Sequence, residues 1–248
     1  MDSLSELPRT LFEVLGFAVQ WPWVLLEAPR GKNHPVLVLP GFAGGDASTA
    51  PLRRVLNTLG YDALPWLQGT NTGNPGQLDA VMQRFERLHA TYDTPVSLVG
   101  QSLGGVYARE IARAFPDAAR CVITLGSPYR IMGSEGANPL VARLFRRIAG
   151  MSIDELRHQL PEERDDGLSM PLTSVYSQSD GVVGWRTCIE PTSGRRENIR
   201  IAGSHTGMAL NPDVLRVVAD RLAQDPDNWQ PFDSTKGCRR FVYPKAHA

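Results

Sequence analysis

The sequence has little cysteine, little lysine and no net charge. Three of its 248 residues are cysteines, and 26 basic side chains balance 26 acidic ones. Cys121, Cys188 and Cys238 form no CxxC motif and no Cys/His ligand spacing, so neither a disulfide framework nor a metal site is indicated. An odd number of cysteines favours a reducing compartment. Because positive charge is not in excess, we expect no nucleic-acid partner.

A long uninterrupted apolar run is also missing. The apolar stretch over residues 11–26 is broken by Glu13, Gln20 and Pro22, so it does not predict a spanning helix. No secretory signal precedes it, and we expect a cytoplasmic protein that starts at Met1. Two interpretations of the stretch remain open. It is an amphipathic helix packed on the domain, or its aromatic side chains make peripheral contact with a membrane or a partner.

From residue 35 onward, short apolar runs alternate with helical patterns. This alternation predicts an α/β fold with a central, mostly parallel sheet and helices on both faces. The predicted strands are about Val36–Leu39, Asp62–Trp66, Pro95–Val99, Arg120–Leu125, Leu172–Tyr176 and Asn198–Ile201. The alternation lapses over residues 129–170, where two helices are predicted, and we interpret this insertion as a lid. Residues 1–34 then form an N-terminal segment and residues 35–248 the main domain.

A candidate nucleophile follows the third predicted strand. Residues 100–104 read Gly-Gln-Ser-Leu-Gly and match G-x-S-x-G, a pattern in which the serine occupies a strained turn between a strand and a helix. The pattern alone is not specific, but an apolar strand precedes it and a helix with apolar periodicity follows it. We therefore predict Ser102 as a nucleophile.

A serine nucleophile needs a histidine base and a carboxylate that orients the imidazole. His205 is the histidine that follows the last predicted strand, whereas the other four lie before a strand, in helices or in the tail. Asp180 follows the strand before it. The chain order Ser102, Asp180, His205 suits a parallel α/β sheet, since all three residues follow strand ends.

Two backbone N–H groups are needed to stabilise the oxyanion. Leu103, directly after the nucleophile at a helix N-terminus, is predicted to supply one. The loop after the first strand reads Pro40-Gly41-Phe42, and the Phe42 N–H is the predicted second donor.

Together these residues resemble the α/β-hydrolase superfamily, and within it the small bacterial esterases and lipases. The resemblance covers about residues 36–222. It implies carboxyl-ester hydrolysis through an acyl-enzyme, without a cofactor. Lipases usually have His-Gly in the oxyanion loop, whereas Pro40-Gly41 stands here. Because the two strands that usually open the superfamily's sheet are missing before Val36, we expect about six parallel strands with the N-terminal segment packed outside.

Apolar residues near the strand ends predict a site for small-molecule or lipid esters with lipophilic acyl chains. The predicted substrate-binding residues are Trp66, Val182, Val183, Met208, Leu144 and Phe145. Three arginines on the helix of Leu144 either face an anionic lipid interface or form a solvated surface. An acyltransferase or thioesterase would use the same triad, and a binding protein or a membrane-associated partner protein on the same fold are further alternatives.

Overall fold

Six parallel strands form the central sheet of the protein. The computed structural model describes residues 6–128, 139–159, 168–191, 194–235 and 239–243. The strands are β1 (Pro35–Leu39), β2 (Asp62–Leu64), β3 (Val96–Gln101), β4 (Ala119–Leu125), β5 (Leu172–Ser177) and β6 (Arg196–Ile201). They are ordered β2-β1-β3-β4-β5-β6. The predicted fold class and the six-stranded parallel sheet are confirmed.

Several strand bounds differ from the prediction by one or two residues, and the carboxyl ends of β2 and β3 differ by two. β2 ends at Leu64, two residues early, because Pro65 has no backbone N–H to continue the ladder. β3 continues past Val99 to Gln101, because Gly100 and Gln101 pair in register with Thr124 and Leu125 of β4. The chain therefore stays extended up to Ser102.

The sheet is covered by helices on both faces. The α-helices among the described residues are α1 (Glu6–Glu27), α2 (Asp46–Thr58), α3 (Pro75–Tyr92), α4 (Leu103–Ala114), α5 (Pro139–Ala149), α6 (Ile153–Gln159), α7 (Pro212–Ala223) and α8 (Arg239–Val242). Side chains alternate along β1: Val36 and Val38 belong to the core under α1, α2 and α7, while Leu37 and Leu39 belong to the core under α3 and α4. Both faces of the sheet are therefore covered by buried apolar side chains.

Helix α1 contains the N-terminal apolar stretch and packs on the domain. Val24 is fully buried in the core shared with α7, and Phe17 and Trp21 pack partly against it. The Glu27 carboxylate accepts a hydrogen bond from Arg216 of α7 at 3.0 Å. Trp23 is 59% exposed, and peripheral membrane contact stays a prediction. No helix in the described part of the chain is long and apolar enough to cross a bilayer.

Part of the predicted insertion lies outside the described residues, at 129–138 and 160–167. Its two predicted helices correspond to α5 and α6. Phe145 of α5 is buried, whereas Leu140, Leu144 and Ile148 form an exposed apolar stripe on the same helix. The arginines of α5 are exposed as well. A lid function for the insertion stays a prediction.

Candidate active site

Ser102 occupies the turn between β3 and α4. Its backbone has φ +50° and ψ −122°, a conformation that residues with a Cβ rarely adopt. The Ser102 N–H donates to the Leu125 carbonyl at 2.9 Å, and the Ser127 hydroxyl donates to the Ser102 carbonyl at 2.7 Å. The strained turn is therefore held by groups at the end of β4.

Glycines beside Ser102 permit this turn. A Cβ at Gly100 would collide with the backbone of Gly104. A Cβ at Gly104 would lie 2.6 Å from the Pro40 carbonyl oxygen. The close approach explains why the turn needs residues without side chains on both sides of the serine.

His205 and Asp180 form a buried pair beside this turn. The His205 Nδ1 and Asp180 Oδ2 atoms are 2.6 Å apart. The other oxygen of Asp180, Oδ1, accepts hydrogen bonds from the N–H groups of Val182 and Val183 at 2.8 and 2.7 Å. Because Asp180 is buried and fixed by its own loop, its carboxylate can orient the imidazole.

Three strand-end loops meet around this pair. The Gln101 side-chain amide donates to the His205 carbonyl at 3.0 Å, which links the residue before Ser102 to the histidine. The Ser177 and Ser179 hydroxyls donate to the Gly203 carbonyl at 2.7 and 2.9 Å. The structure therefore brings the loops of the three predicted triad residues to one edge of the sheet.

The predicted oxyanion loop passes directly over Ser102. A Cβ added to Gly41 would lie 3.2 Å from the Ser102 Cβ. Leu103 is in the first turn of α4, where no preceding helix carbonyl can accept its N–H. The predicted donors thus lie beside the serine on two different elements, Phe42 on the loop after β1 and Leu103 at the start of α4.

Asn71 holds the oxyanion loop in place. This residue is fully buried, and its side-chain amide donates to the Pro40 carbonyl at 2.9 Å. Its backbone carbonyl accepts from the Ala43 N–H, and its N–H donates to the Gly44 carbonyl, both at 2.7 Å. Ala43 has φ +60°, so the loop keeps a strained conformation that Asn71 supports.

The predicted substrate-binding residues do not share one surface. The rings of Phe145 and Phe42 are 4.8 Å apart, so α5 reaches the oxyanion loop. Leu144, beside Phe145, is 47% exposed. Val183 is buried in a small cluster near Asp180, and Val182 packs against that cluster.

Trp66 and Met208 are fully buried and expose no surface to a substrate. The Trp66 indole donates to the Gly69 carbonyl at 2.9 Å, and Met208 packs in the core under α1 and α7. Contact between a substrate and either side chain would require neighbouring groups to move. Their binding roles stay predictions.

The other histidines within the described ranges lie elsewhere. His34 precedes β1 at the opposite edge of the sheet, where burial, aided by Arg120, lowers its pKa to about 4. His89 bonds the Thr94 carbonyl at the end of α3, and His158 is exposed on α6. The described residues contain no group of three or more His, Cys, Asp or Glu side chains that could hold a metal ion.

Three residues that support the site were missed by the sequence analysis. Asn71 lies in a loop that reads only as polar, and Ser127 follows β4 in a Gly-Ser-Pro strand end to which the sequence alone assigned no role in the site. Glu13 reads as an interruption of an apolar stretch, yet it is buried against the loop of His205. Only Ser127, in a Gly-Ser-Pro strand end beside the nucleophile, offers a local signal.

The comparisons with known proteins agree with the fold. The sequence is 26% identical over 145 residues to a carboxylesterase from Bacillus subtilis (strain 168). The aligned region covers 54% of this chain and 58% of the carboxylesterase. Lipase B from Aspergillus fumigatus has a TM-score of 0.64 at 18% identity, over 86% of this chain and 58% of the lipase. This chain has the α/β-hydrolase fold. A second structure with this fold, the Paleococcus ferrophilus monoacylglycerol lipase, has a TM-score of 0.59 at 14% identity and covers 79% of this chain and 96% of that one.

No family model matches the sequence. The chain spans 58% of the length of both the carboxylesterase and lipase B. Within the α/β-hydrolase fold, the strand ends that hold Ser102, Asp180 and His205 lie at the sheet edge where open α/β sheets bind their ligands.

Proposed function

We propose that this protein hydrolyses carboxylic esters with lipophilic acyl chains through an acyl-enzyme. The observation that supports the proposal most directly is the 2.6 Å pair of His205 and Asp180 beside a serine held at φ +50°. A strained serine, a buried base and a fixed carboxylate are the parts that serine hydrolysis needs. The likeness to the carboxylesterase and the lipases supports the same reaction class.

In the first half-reaction, the Ser102 hydroxyl attacks the ester carbonyl carbon. The His205 Nε2 accepts the hydroxyl proton, while the Asp180 carboxylate accepts a hydrogen bond from Nδ1–H and stabilises the imidazolium. The carbonyl oxygen becomes an oxyanion that the N–H groups of Phe42 and Leu103 stabilise. When the tetrahedral intermediate collapses, His205 donates the proton to the leaving alcohol, and the acyl group stays on Ser102.

In the second half-reaction, water takes the place of the alcohol. His205 accepts a proton from water as it attacks the acyl carbon, and the same two N–H groups stabilise the second oxyanion. Collapse of this intermediate returns the proton to Ser102 Oγ and releases the carboxylic acid. The enzyme ends in its starting state, without metal or cofactor.

The apolar surroundings of the oxyanion loop favour a lipophilic acyl group. Phe42 contacts Phe145 of α5, and the preceding residue, Leu144, is exposed at the surface of the same helix. An acyl chain placed against these side chains would bury apolar area, at about 0.8 kcal/mol for each methylene group. We therefore expect catalytic efficiency to rise from acetyl esters to longer acyl esters.

The test is hydrolysis of p-nitrophenyl esters from acetyl to palmitoyl by the wild type and by Ser102→Ala. We expect Ser102→Ala to lower kcat by about 10³-fold or more, because the covalent step is lost. Ser234→Ala, in the segment after α7, is the matched serine control and should retain wild-type activity. Folding of each variant is checked by circular dichroism and thermal melting.

Two outcomes would contradict the proposal. If the wild type hydrolysed none of the esters, or if Ser102→Ala hydrolysed them equally well, Ser102 would not be the nucleophile of an ester hydrolase. Repeating the assay with an added alcohol and with a thioester separates hydrolysis from acyl transfer and thioesterase action, since the triad chemistry is common to all three.

A further inference from the structure

Glu13, on the N-terminal helix α1, is a buried carboxylate that contacts the loop of His205. Its Oε1 atom accepts a hydrogen bond from the Ser204 N–H at 2.9 Å, and its Oε2 atom accepts one from the Ser204 hydroxyl. The side-chain amide of Asn211 donates to Oε1 at 3.2 Å. The residue directly before the histidine is therefore bound through both its backbone and its side chain.

The Glu13 carboxylate packs closely against this loop on both sides of His205. A Cβ at Gly207 would overlap the Glu13 carboxylate, and a Cβ at Gly203 would lie 2.5 Å from Glu13 Oε1. The glycines thus leave room for a carboxylate that comes from a helix almost 200 positions earlier in the chain.

Thr10 adds a second contact from the same face of α1. It lies three positions before Glu13, about one helical turn away. Its hydroxyl is 3.1 Å from the Ser204 hydroxyl and 3.0 Å from the Thr206 hydroxyl. The residues before and after His205 are consequently both in contact with α1.

These contacts complete the support of the His205 loop. The Gln101 amide bonds the His205 carbonyl from the nucleophile side, and Asp180 bonds the ring from the β5 side. Glu13 fixes the backbone of Ser204 from the α1 side. The Ser204 hydroxyl also accepts a hydrogen bond from the Gly207 N–H at 3.0 Å. Without the Glu13 carboxylate, the Ser204 N–H and the Asn211 amide would each lose an acceptor in a buried place, so the loop would have to move to regain one.

We propose that Glu13 is a positioning residue for His205: it fixes the histidine loop so that the imidazole stays aligned between Asp180 and Ser102. This inference rests on the proposed function, since it assigns no chemistry of its own to Glu13. Displacing a catalytic group by about 1 Å can cost on the order of 10²-fold in rate, so the effect belongs in kcat rather than in substrate affinity.

The test uses p-nitrophenyl butyrate hydrolysis and the rate at which a fluorophosphonate probe labels Ser102. Glu13→Ala should lower kcat and the labelling rate by about 10- to 100-fold, with KM changed by less than about threefold. Glu13→Gln keeps an oxygen acceptor for Ser204 N–H and an N–H group for the Ser204 hydroxyl, so it should restore most of the lost rate. Glu13→Asp keeps the charge on a side chain that is shorter by one methylene group, so we expect an intermediate loss of kcat and labelling rate.

Val24→Ala is the matched control for a loosened helix. Val24 is an apolar residue of α1, fully buried in the core shared with α2 and α7, so this variant should melt at a lower temperature yet keep its kcat well below the melting point. If Val24→Ala lowered kcat as much as Glu13→Ala at an equal loss of Tm, Glu13 would act through general stability and the proposal would be overturned.

The remaining outcomes separate this inference from the proposed function. If activity and labelling depend on Ser102 but the folded Glu13→Ala or Glu13→Asp variant matches the wild type, the positioning role is wrong and the hydrolase proposal stands. If neither readout depends on Ser102, the proposed function fails and the positioning role fails with it. Should Glu13→Ala not fold, Glu13→Asp and Glu13→Gln decide the question alone.

Discussion

The two edges of the sheet each contain a histidine, and their surroundings differ. His205, at the edge where the strands end, is buried with Asp180 2.6 Å from its Nδ1. His34, at the edge where the strands begin, packs edge-on against the Tyr61 ring at 5.1 Å, and its Nε2 has no hydrogen-bond partner among the described residues. His205 is buried and His34 is partly buried, so both rings lose contact with water. What separates the candidate base from the other histidine is therefore the fixed carboxylate.

The electrostatic consequence is visible at His34. Burial, with a smaller contribution from Arg120, lowers the pKa of this imidazole to about 4, so the ring is neutral over the physiological range. Staying neutral spares this ring the larger free-energy cost of burying an unpaired charge. Among the described residues, no carboxylate pairs with His34, so nothing there would stabilise an imidazolium as Asp180 can for His205.

Replacing Asp180, the partner of His205, should have the largest effect on kcat. We expect Asp180→Asn to lower kcat roughly 10³- to 10⁴-fold, because the amide favours the wrong imidazole tautomer and no longer stabilises its charged form. Steady-state hydrolysis of p-nitrophenyl butyrate measures the loss. Asp79→Asn, an exposed carboxylate on α3, is the matched control and should be neutral. If Asp180→Asn were as active as Asp79→Asn, the carboxylate partner would not be what distinguishes His205 from His34.

Loosening the oxyanion loop at the same edge should have an intermediate effect. Asn71→Ala leaves the buried Pro40 carbonyl without its donor, which costs about 1–3 kcal/mol of unfolding free energy. We also expect kcat to fall about 10- to 100-fold, since the Phe42 N–H would no longer be held in place. Urea unfolding and ester hydrolysis provide the two measurements. A variant that is destabilised but fully active would show that Asn71 supports only the fold.

The smallest effect is expected for His34, at the opposite edge of the sheet, and it concerns the pH dependence of stability. Between pH 6.5 and about 4, the unfolded chain binds a proton at position 34 that the folded chain does not, so the free energy of unfolding falls as the pH falls. His34→Phe should reduce this acid sensitivity by up to about one proton and leave kcat unchanged. Urea unfolding at a series of pH values across this window measures the slope. An unchanged slope would mean that His34 is not protonated on unfolding.

The parts of the site that the sequence predicts are those whose signal is local. Ser102 lies in a five-residue pattern, and the strand before it and the helix after it can be recognised from neighbouring residues. His205 and Asp180 follow strand ends, and a parallel sheet brings such ends to one edge. The sheet itself could be predicted because buried parallel strands are continuous apolar runs.

The supporting residues could not be predicted in this way. Asn71 and Glu13 contact loops that are distant in sequence, so their roles appear only once the chain has folded. The early end of β2 could have been read from Pro65, whereas the length of β3 depends on its pairing with β4. The arrangement of Trp66 and Met208 inside the core likewise depends on packing, because apolar residues after strands serve equally well as pocket walls or as core.

The contact between Glu13 and Ser204 joins residues 191 positions apart. During synthesis at about 5–20 residues per second, α1 leaves the ribosome roughly 10–40 s before the loop that it fixes. Throughout that interval the buried side of the helix, with Val24 and the Glu13 carboxylate, has no partner surface from α7 or the histidine loop. The candidate catalytic edge is therefore among the last parts of the molecule to be completed, and the apolar side of α1 is not fully covered until α7 has been made.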